Sequence, residues 1–208
     1  PTGGLAQAGA RWLGWDSAGA GEHVPEFDKA TRRPRNYGFH GTVKPPMRLA
    51  EGCDEAGLRA ALAELCDGLK PVPPLKLKLS RIGGFLALVP EGDVPELAKL
   101  ASAVVQGLDG FRAAPSEDEL ARRRRAKLSA LEETNLERWG YPYVMEAFRF
   151  HMTLTGPVPR AEFDEVQARA EAHFAEHIVA PMPVTELCLM GEAEDGRFHQ
   201  IERFALKG

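Results

Sequence analysis

The feature of this sequence that most constrains its fold is an order of predicted elements that occurs twice. In each half, a strand with a histidine is followed by a helix, a strand, a turn with glycine and another strand. The histidine and the glycine are 43 positions apart from His40 to Gly83, and 45 positions apart from His151 to Gly196. Residue identities are not repeated, so the repetition concerns architecture only. It predicts an α+β fold with two similar lobes, at about residues 1–90 and 140–208, and connecting helices at about 95–139.

Apolar periodicity and turn residues give the bounds of the individual elements. Ser116–Glu119 has the pattern of a capping box, so it predicts the start of a helix that runs toward Trp139 and ends at Gly140. Gly83–Gly84 is typical of a β-hairpin turn. Residues 14–37 are predicted to be an irregular loop. The predicted helices are at residues 5–13, 54–69, 95–107, 116–139 and 162–174, and the predicted strands at 39–44, 75–79, 85–89, 147–155, 184–190 and 198–206.

The composition narrows the class of partner and the compartment. The net charge is −4, whereas proteins that hold long nucleic acid usually carry a basic excess, so we expect a small ligand or a strand end instead. The three cysteines form no CxxC pair, which disfavours a disulfide framework or a zinc knuckle. No apolar run reaches the roughly 18 residues that span a membrane, and the first ten residues lack the pattern of a signal peptide. We therefore expect a cytoplasmic protein without membrane contact.

Two short motifs of the form His-x-Thr carry the predicted chemistry. They are His40-Gly41-Thr42 and His151-Met152-Thr153, and each follows a phenylalanine. Because side chains alternate across a strand, His40, Thr42 and Lys44 are predicted to share one face. His151, Thr153 and Thr155 are predicted to do the same, with apolar residues on the opposite face. Each strand would then present an imidazole and a hydroxyl away from its core face.

This equipment suits the cleavage of a phosphodiester. A base must activate water or a hydroxyl, an acid must protonate the leaving oxygen, and histidine does either near neutral pH. Threonine hydroxyls and a lysine ammonium can hold the non-bridging oxygens. Neither strand offers a second histidine or a carboxylate on the same face, so we expect no metal and no cofactor. One His-x-Thr motif means little; two copies in matching positions favour catalysis, with a non-catalytic phosphate pocket as the alternative.

The chain resembles the two-histidine (2H) phosphoesterase superfamily, the relatives of 2′,5′-RNA ligases and cyclic phosphodiesterases, and within it a branch identified with phosphonate metabolism. The segments that carry the resemblance are 10–14, 37–46, 80–90, 139–144 and 150–156. The resemblance implies a bilobal, pseudo-symmetric fold in which two antiparallel sheets face a central cleft, with helices outside and no metal. It implies a catalytic pair of His40 and His151, with Thr42 and Thr153 as phosphate-binding hydroxyls. Relatives usually begin with a strand before segment 10–14 that is not in this sequence, so either residues are missing or the first lobe lacks a strand.

Further candidates for substrate binding lie close to the two motifs. Lys44 could bind phosphate or end its strand in solvent, and Tyr37 and Arg149 could reach the substrate. Tyr143, like Tyr141, could stack on a base or pack in the core. Arg33 and Arg35 are weaker candidates. The run Arg122–Arg125 points around a whole helix, which favours a solvated or salt-bridged helix over one that binds RNA. The remaining histidines, which have no motif around them, are predicted to be surface or structural residues: His23, His173, His177 and His199.

The leading functional hypothesis is hydrolysis of a small phosphodiester, in particular a cyclic phosphate on ribose, by a metal-independent enzyme. Analogy with the family gives His151 the role of base and His40 that of acid. One alternative is RNA end processing or 2′,5′ ligation, which the acidic composition disfavours. The other is a non-catalytic module that binds a nucleotide or RNA. The sequence contains no phosphate-binding loop of the G-x-x-x-x-G-K-[ST] type.

Overall fold

The computed structural model describes residues 1–19, 21, 22, 25 and 27–208. His23 lies outside these residues. The described residues form an α+β structure in which helices alternate with short antiparallel strands. The α-helices are α1 (Gly3–Leu13), α2 (Asp28–Arg35), α3 (Glu55–Asp67), α4 (Pro95–Gly107), α5 (Glu117–Arg124), α6 (Ala130–Trp139) and α7 (Phe163–Phe174). Two 3₁₀ turns lie at Asp109–Phe111 and Met145–Ala147.

The strands form small sheets in which hairpins predominate. They are β1 (Trp15–Asp16), β2 (Gly21–Glu22), β3 (Val72–Leu75), β4 (Leu77–Ile82), β5 (Phe85–Pro90), β6 (Met152–Thr153), β7 (Met182–Val184), β8 (Glu186–Glu192) and β9 (Phe198–Ala205). The largest described sheet has the order β4-β5-β6, and the pairs β1-β2, β3-β7 and β8-β9 form the others. The β4–β5 hairpin turns at Gly83–Gly84, as predicted. The β8–β9 hairpin turns around Asp195–Gly196, also as predicted.

The chain divides into two compact units, each built from several segments. The first comprises Pro1–Gly41, Pro73–Asp93 and His151–Arg203, and the second Thr42–Val72, Val94–Phe150 and Phe204–Gly208. Each unit takes residues from both halves of the chain, so the units do not coincide with the lobes expected at 1–90 and 140–208. Those lobes stay a prediction.

In the core of the first unit, α1 packs against α7. Trp12 is fully buried, and its ring lies 5.7 Å from that of Phe174 on α7. The indole nitrogen of Trp12 donates a hydrogen bond of 2.9 Å to the carbonyl of Leu154, just after β6. Gly9 of α1 makes room for the ring of Phe39, which a side chain at this position would overlap. Helix α1 thus contacts the chain next to both histidine motifs.

The second unit is mainly helical. Asp54 caps α3 by accepting a hydrogen bond of 2.8 Å from the backbone nitrogen of Gly57. The apolar stripe of α4, with Leu97, Leu100 and Val104, is buried as its spacing predicted. Asn135 on α6 is buried, and its amide nitrogen donates to the carbonyl of Val144 at 2.9 Å. This bond ties α6 to the segment that leads toward the second motif.

Four sequence-based predictions of secondary structure are wrong in whole or in part. Residues 39–44 form no strand, because only Gly41 pairs there, in an isolated bridge. The helix predicted at 116–139 is two helices: Lys127 has a left-handed φ of 52°, and Ser129 with Glu132 forms a second capping box that starts α6. The loop predicted at 14–37 contains the helix α2. The strand predicted at 147–155 is reduced to Met152–Thr153.

Candidate active site

The two histidine motifs meet through one backbone pairing. Gly41 and Met152, each of which follows a motif histidine, form an antiparallel bridge. In that register His40 lies opposite Thr153, at the cross-strand spacing where side chains on one face contact each other. Met152 is fully buried on the opposite face, and it also pairs with Leu88 of β5. The bridge therefore brings His40, Thr153 and His151 together on one face of the first unit.

The ring of His40 is held in one tautomer. Its Nδ1 lies 3.0 Å from the carbonyl oxygen of Gly38, and since a carbonyl only accepts hydrogen bonds, Nδ1 is the donor. In the neutral ring, Nε2 is then the acceptor nitrogen. Burial lowers the pKa of His40 below its ordinary value of 6.5, and the charge of His151 lowers it further, while the bond to Gly38 opposes the shift. At neutral pH the ring is thus uncharged, with an acceptor at Nε2.

Gly38 has the backbone conformation that this contact requires. Its φ is +70°, in the left-handed region that favours glycine. A Cβ at this position would also lie 2.8 Å from the hydroxyl oxygen of Ser17. Ser17 is fixed in turn, because its carbonyl accepts a hydrogen bond of 2.8 Å from the nitrogen of Gln200 on β9. The loop before His40 is therefore braced from two sides.

Each histidine has an aromatic neighbour, Phe85 of the first hairpin for His151 and Tyr37 for His40. Phe85 of the first hairpin lies 5.9 Å from His151. Phe198 of the second hairpin stacks on Tyr37 at 4.9 Å, and the ring of Tyr37 lies 6.2 Å from that of His40. The backbone nitrogen of Phe198 also donates to the carbonyl of Asn36 at 2.7 Å. Tyr37 is 41% exposed.

The sequence analysis missed Phe85 and Phe198. A signal for them was present, because each follows the turn of its hairpin: Phe85 comes directly after Gly84, and Phe198 comes two residues after Gly196. The repeated order of elements gives them equivalent positions. Strand alternation alone could not find them, since they lie far from the motifs in sequence.

Four predicted substrate-binding residues belong to the second unit: Thr42, Lys44, Tyr143 and Arg149. The side chain of Lys44 is only 10% exposed, and its ammonium nitrogen lies 3.2 Å from the carbonyl of Val105 and 4.0 Å from a carboxylate oxygen of Asp109. Arg149 turns back on its own loop and donates to the carbonyl of Phe148 at 2.7 Å. Tyr143 is 42% exposed and packs edge-on against Tyr141. Their roles, and that of Thr42, stay predictions from the motifs.

Thr155 corrects the predicted alternation. It was expected on the face of His151 and Thr153, but it is buried, and its hydroxyl oxygen accepts a hydrogen bond of 2.9 Å from the nitrogen of Leu86. The reason is that β6 ends at Thr153, so the period of two does not continue. Arg35 is structural as well, because its Nε donates to the carbonyl of Leu13 at 2.8 Å.

Two further features of the described part of the chain concern metal binding and membrane insertion. Among these residues, no three histidine, cysteine, aspartate or glutamate side chains lie together in a way that could hold a metal ion. None of the described helices is long and apolar enough to cross a bilayer.

His173, predicted to be a surface or structural residue, is structural: its ring hydrogen-bonds the carbonyl of Ala8 at 2.9 Å.

Known proteins match this chain over most of its length. The model of a family described as a protein of unknown function, DUF1045, matches residues 42–199. A protein of Janthinobacterium sp. (strain Marseille), named ribose 1,5-bisphosphate phosphokinase PhnN, is 36% identical over 217 residues, covering 98% of this chain and 48% of the relative. A protein of the same name from Laribacter hongkongensis (strain HLHK9) is 35% identical over 204 residues, covering 95% and 47%. The chain spans about half the length of these curated relatives.

Proposed function

We infer that this chain, which belongs to the DUF1045 family, hydrolyses a small phosphodiester with His40 and His151 as its acid–base pair. The observation that carries the proposal is the Gly41–Met152 bridge, because it joins the two motifs next to their histidines. Two imidazoles and the hydroxyl of Thr153 on one face supply a base, an acid and a hydrogen-bond donor. These are the groups that a phosphodiester needs for attack, departure and charge stabilisation. The proposed reaction uses no metal ion.

His40 is the base of the proposed hydrolysis. Its Nε2 takes a proton from the attacking water as the new P–O bond forms. The bond from phosphorus to the leaving oxygen breaks, and protonated His151 gives that oxygen its proton. The hydroxyl of Thr153 donates to a non-bridging oxygen. The products are a phosphate monoester and a free hydroxyl, so water is the one co-reactant.

This assignment of roles reverses the one that the resemblance implied. The hydrogen bond from Nδ1 to Gly38 supports it, because that bond leaves Nε2 as an acceptor. The lowered pKa of His40 supports it too, since a base must be unprotonated before the reaction. The roles exchange in the reverse direction of the reaction.

The substrate that we propose is a cyclic phosphate on a phosphorylated ribose. The relatives are named for a kinase that acts on ribose 1,5-bisphosphate, and this chain matches half of each. It lacks the phosphate-binding loop described above, so we attribute the named kinase activity to the other half of those proteins. Opening a 1,2-cyclic phosphate on ribose 5-phosphate, with water, yields ribose 1,5-bisphosphate when the bond to O2 breaks. The two halves would then act in sequence, in keeping with a role in phosphonate metabolism.

A substrate panel tests this proposal. Purified protein in EDTA is incubated with ribose 5-phosphate 1,2-cyclic phosphate, with 2′,3′- and 3′,5′-cyclic nucleotides and with a linear RNA dinucleotide, and products are followed by ³¹P NMR. We expect turnover of the ribose cyclic phosphate without added metal. Failure on every member, or turnover that appears only with a divalent ion, would contradict the proposal. Faster cleavage of the RNA dinucleotide than of the ribose cyclic phosphate would favour RNA end processing as the function.

A further inference from the structure

A small cavity in the second unit has four arginines in its lining. Its volume is about 60 Å³, room for several water molecules, since one needs roughly 10–15 Å³. Arg48, Arg112, Arg122 and Arg123 line it, with Glu119 as its carboxylate. In a chain of net charge −4, this is a local excess of positive charge. None of these residues has a role in the proposed hydrolysis.

Two of the arginines are fixed by carboxylates. Arg48 pairs with Glu119 at 2.9 Å. Arg112 pairs with Asp109 at 2.7 Å, and it also donates to the carbonyl of Arg138 at 3.2 Å. The side chains are thus held in place before any ligand arrives, which lowers the entropy lost on binding.

The other two arginines keep their charge available. Within the described ranges, neither Arg122 nor Arg123 has a carboxylate within 4.0 Å, and Arg124 instead takes the contact with Glu133 at 2.6 Å. The guanidinium of Arg123 lies 4.5 Å from the centre of the Tyr141 ring. That contact orients the group while leaving its N–H donors for a ligand.

Gly140 makes room for this arrangement. It ends α6 with φ +72°, and a Cβ there would come within 2.8 Å of Nη1 of Arg112. The backbone of α6 and the guanidinium of Arg112 can therefore approach closely at the cavity wall.

We propose that this cavity binds one phosphate group of a small phosphate monoester. The planar guanidinium forms paired hydrogen bonds that match phosphate oxygens, and Arg122 and Arg123, which have no carboxylate partner among the described residues, match its double negative charge. The size of the cavity suits a single tetrahedral anion and not a polymer. The lining residues belong to the second unit, whereas the two histidines belong to the first.

Calorimetric titration with inorganic phosphate at constant ionic strength tests the site. We expect saturable binding that chloride does not reproduce. Arg122→Ala and Arg123→Ala should each weaken it about tenfold, as expected for the loss of a charged hydrogen bond. Arg125→Ala is the matched control, since Arg125 follows α5 but does not line the cavity; it should keep the wild-type affinity. Because the readout is binding, it does not depend on turnover, and His40→Ala should leave it unchanged.

Three outcomes would overturn the proposal. The first is no saturable binding beyond that of chloride. The second is binding that Arg122→Ala and Arg123→Ala leave intact but His40→Ala abolishes, which would assign it to the histidines. The third is tight binding of an RNA oligomer with a steep dependence on salt and no binding of phosphate, which would favour the helix as an RNA contact.

Discussion

The proton of His40 lies on Nδ1 because the carbonyl of Gly38 accepts it. This one contact decides what the ring can do, since it leaves Nε2 to take a proton from water. Burial and the charge of His151 keep the ring neutral by lowering its pKa. The sequence predicted the histidine pair, but it could not predict the tautomer, which depends on the local backbone two residues away.

The lowered pKa of His40 predicts the pH dependence of the reaction. A base works only when unprotonated, so kcat/KM should rise with pH along an acidic limb whose apparent pKa is below 6.5. His40→Gln should lower the rate and remove that limb. The measurement is kcat/KM from pH 4.5 to 8.5 on the best substrate of the panel. An acidic limb above pH 6.5 that survives in His40→Gln would assign the base elsewhere.

The same shift predicts a change in stability. The folded state disfavours the charged ring, so the unfolded state binds more protons as the pH falls below the ordinary pKa of 6.5. The contribution of His40 to stability is therefore present above pH 6.5 and is lost as the pH falls through the lower, folded pKa. Urea unfolding at pH 7.5 and 5.0 should show a smaller loss for His40→Gln than for the wild type.

Gly38 is predicted to be a positioning residue for His40. Gly38→Ala should move the carbonyl away from Nδ1, because a side chain is strained at φ +70° and meets Ser17. We expect a lower kcat, little change in KM and a shifted acidic limb. Gly52→Ala is the matched control: its φ is +78° and no atom lies within 4 Å of the added methyl, so it bears the backbone strain alone. If Gly38→Ala and Gly52→Ala changed kcat and the acidic limb of the pH profile equally, Gly38 would not be a positioning residue for His40.

At the scale of elements, the accuracy of the secondary-structure prediction depended on the length of the element. The long, periodic helices at 55–67, 95–107 and 163–174 and the hairpins at Gly83–Gly84 and Gly196 match their predicted positions closely. The short segments that carry the motifs do not, because one bridge and one two-residue strand hold them and tertiary contacts set their shape. The break between α5 and α6 was missed although Ser129 and Glu132 form a second capping box.

Lys44 illustrates a residue whose surroundings the sequence could not show. Its ammonium lies at the C-terminal end of α4, where the carbonyl of Val105 accepts from it. Such ends carry partial negative charge and attract cations. Burial is the main cause that lowers the pKa of Lys44 to about 8, while Asp109 opposes the shift. Its contact inside the second unit is that of a structural residue.

Replacing Lys44 tests that interpretation. Between pH 7.5 and 9.5 the folded wild type loses the Lys44 proton while the unfolded chain, with a pKa near 10.5, keeps it. The free energy of unfolding should therefore rise by about 2 kcal/mol over this range from this group. Lys44→Met should lack that part of the rise, and the exposed Lys99→Met on the same helix should retain it. A raised KM in Lys44→Met with an unchanged pH profile of stability would favour a contact with substrate instead.

At the scale of the whole molecule, the hairpin of each half of the chain lies near the histidine motif of the other half. Phe85 of the first hairpin lies beside His151, and Phe198 of the second lies near His40 through Tyr37. The repeated order of elements predicted two similar halves, but it could not show that an aromatic residue from the hairpin of each half lies near the motif of the other half. This arrangement makes the first unit a combination of three distant segments.

The acidic composition predicted a small ligand, but it gave no indication of a local cavity lined by four arginines. The four arginines that line it are spread over residues 48–123, and only the fold of the second unit collects them. A net charge describes the solution behaviour of the whole chain, whereas a site depends on which charges lack partners.

The measurement that tests the central claim most directly is turnover of the best panel substrate by His40→Ala, His151→Ala and the double variant, in EDTA. The two histidines act on one phosphorus, so each single variant should lose about 10²- to 10⁴-fold in kcat, and the double variant little more. His177→Ala, a histidine outside the site, should keep the wild-type rate. Wild-type turnover in either single variant, or an equal loss in His177→Ala, would contradict a reaction carried by this pair.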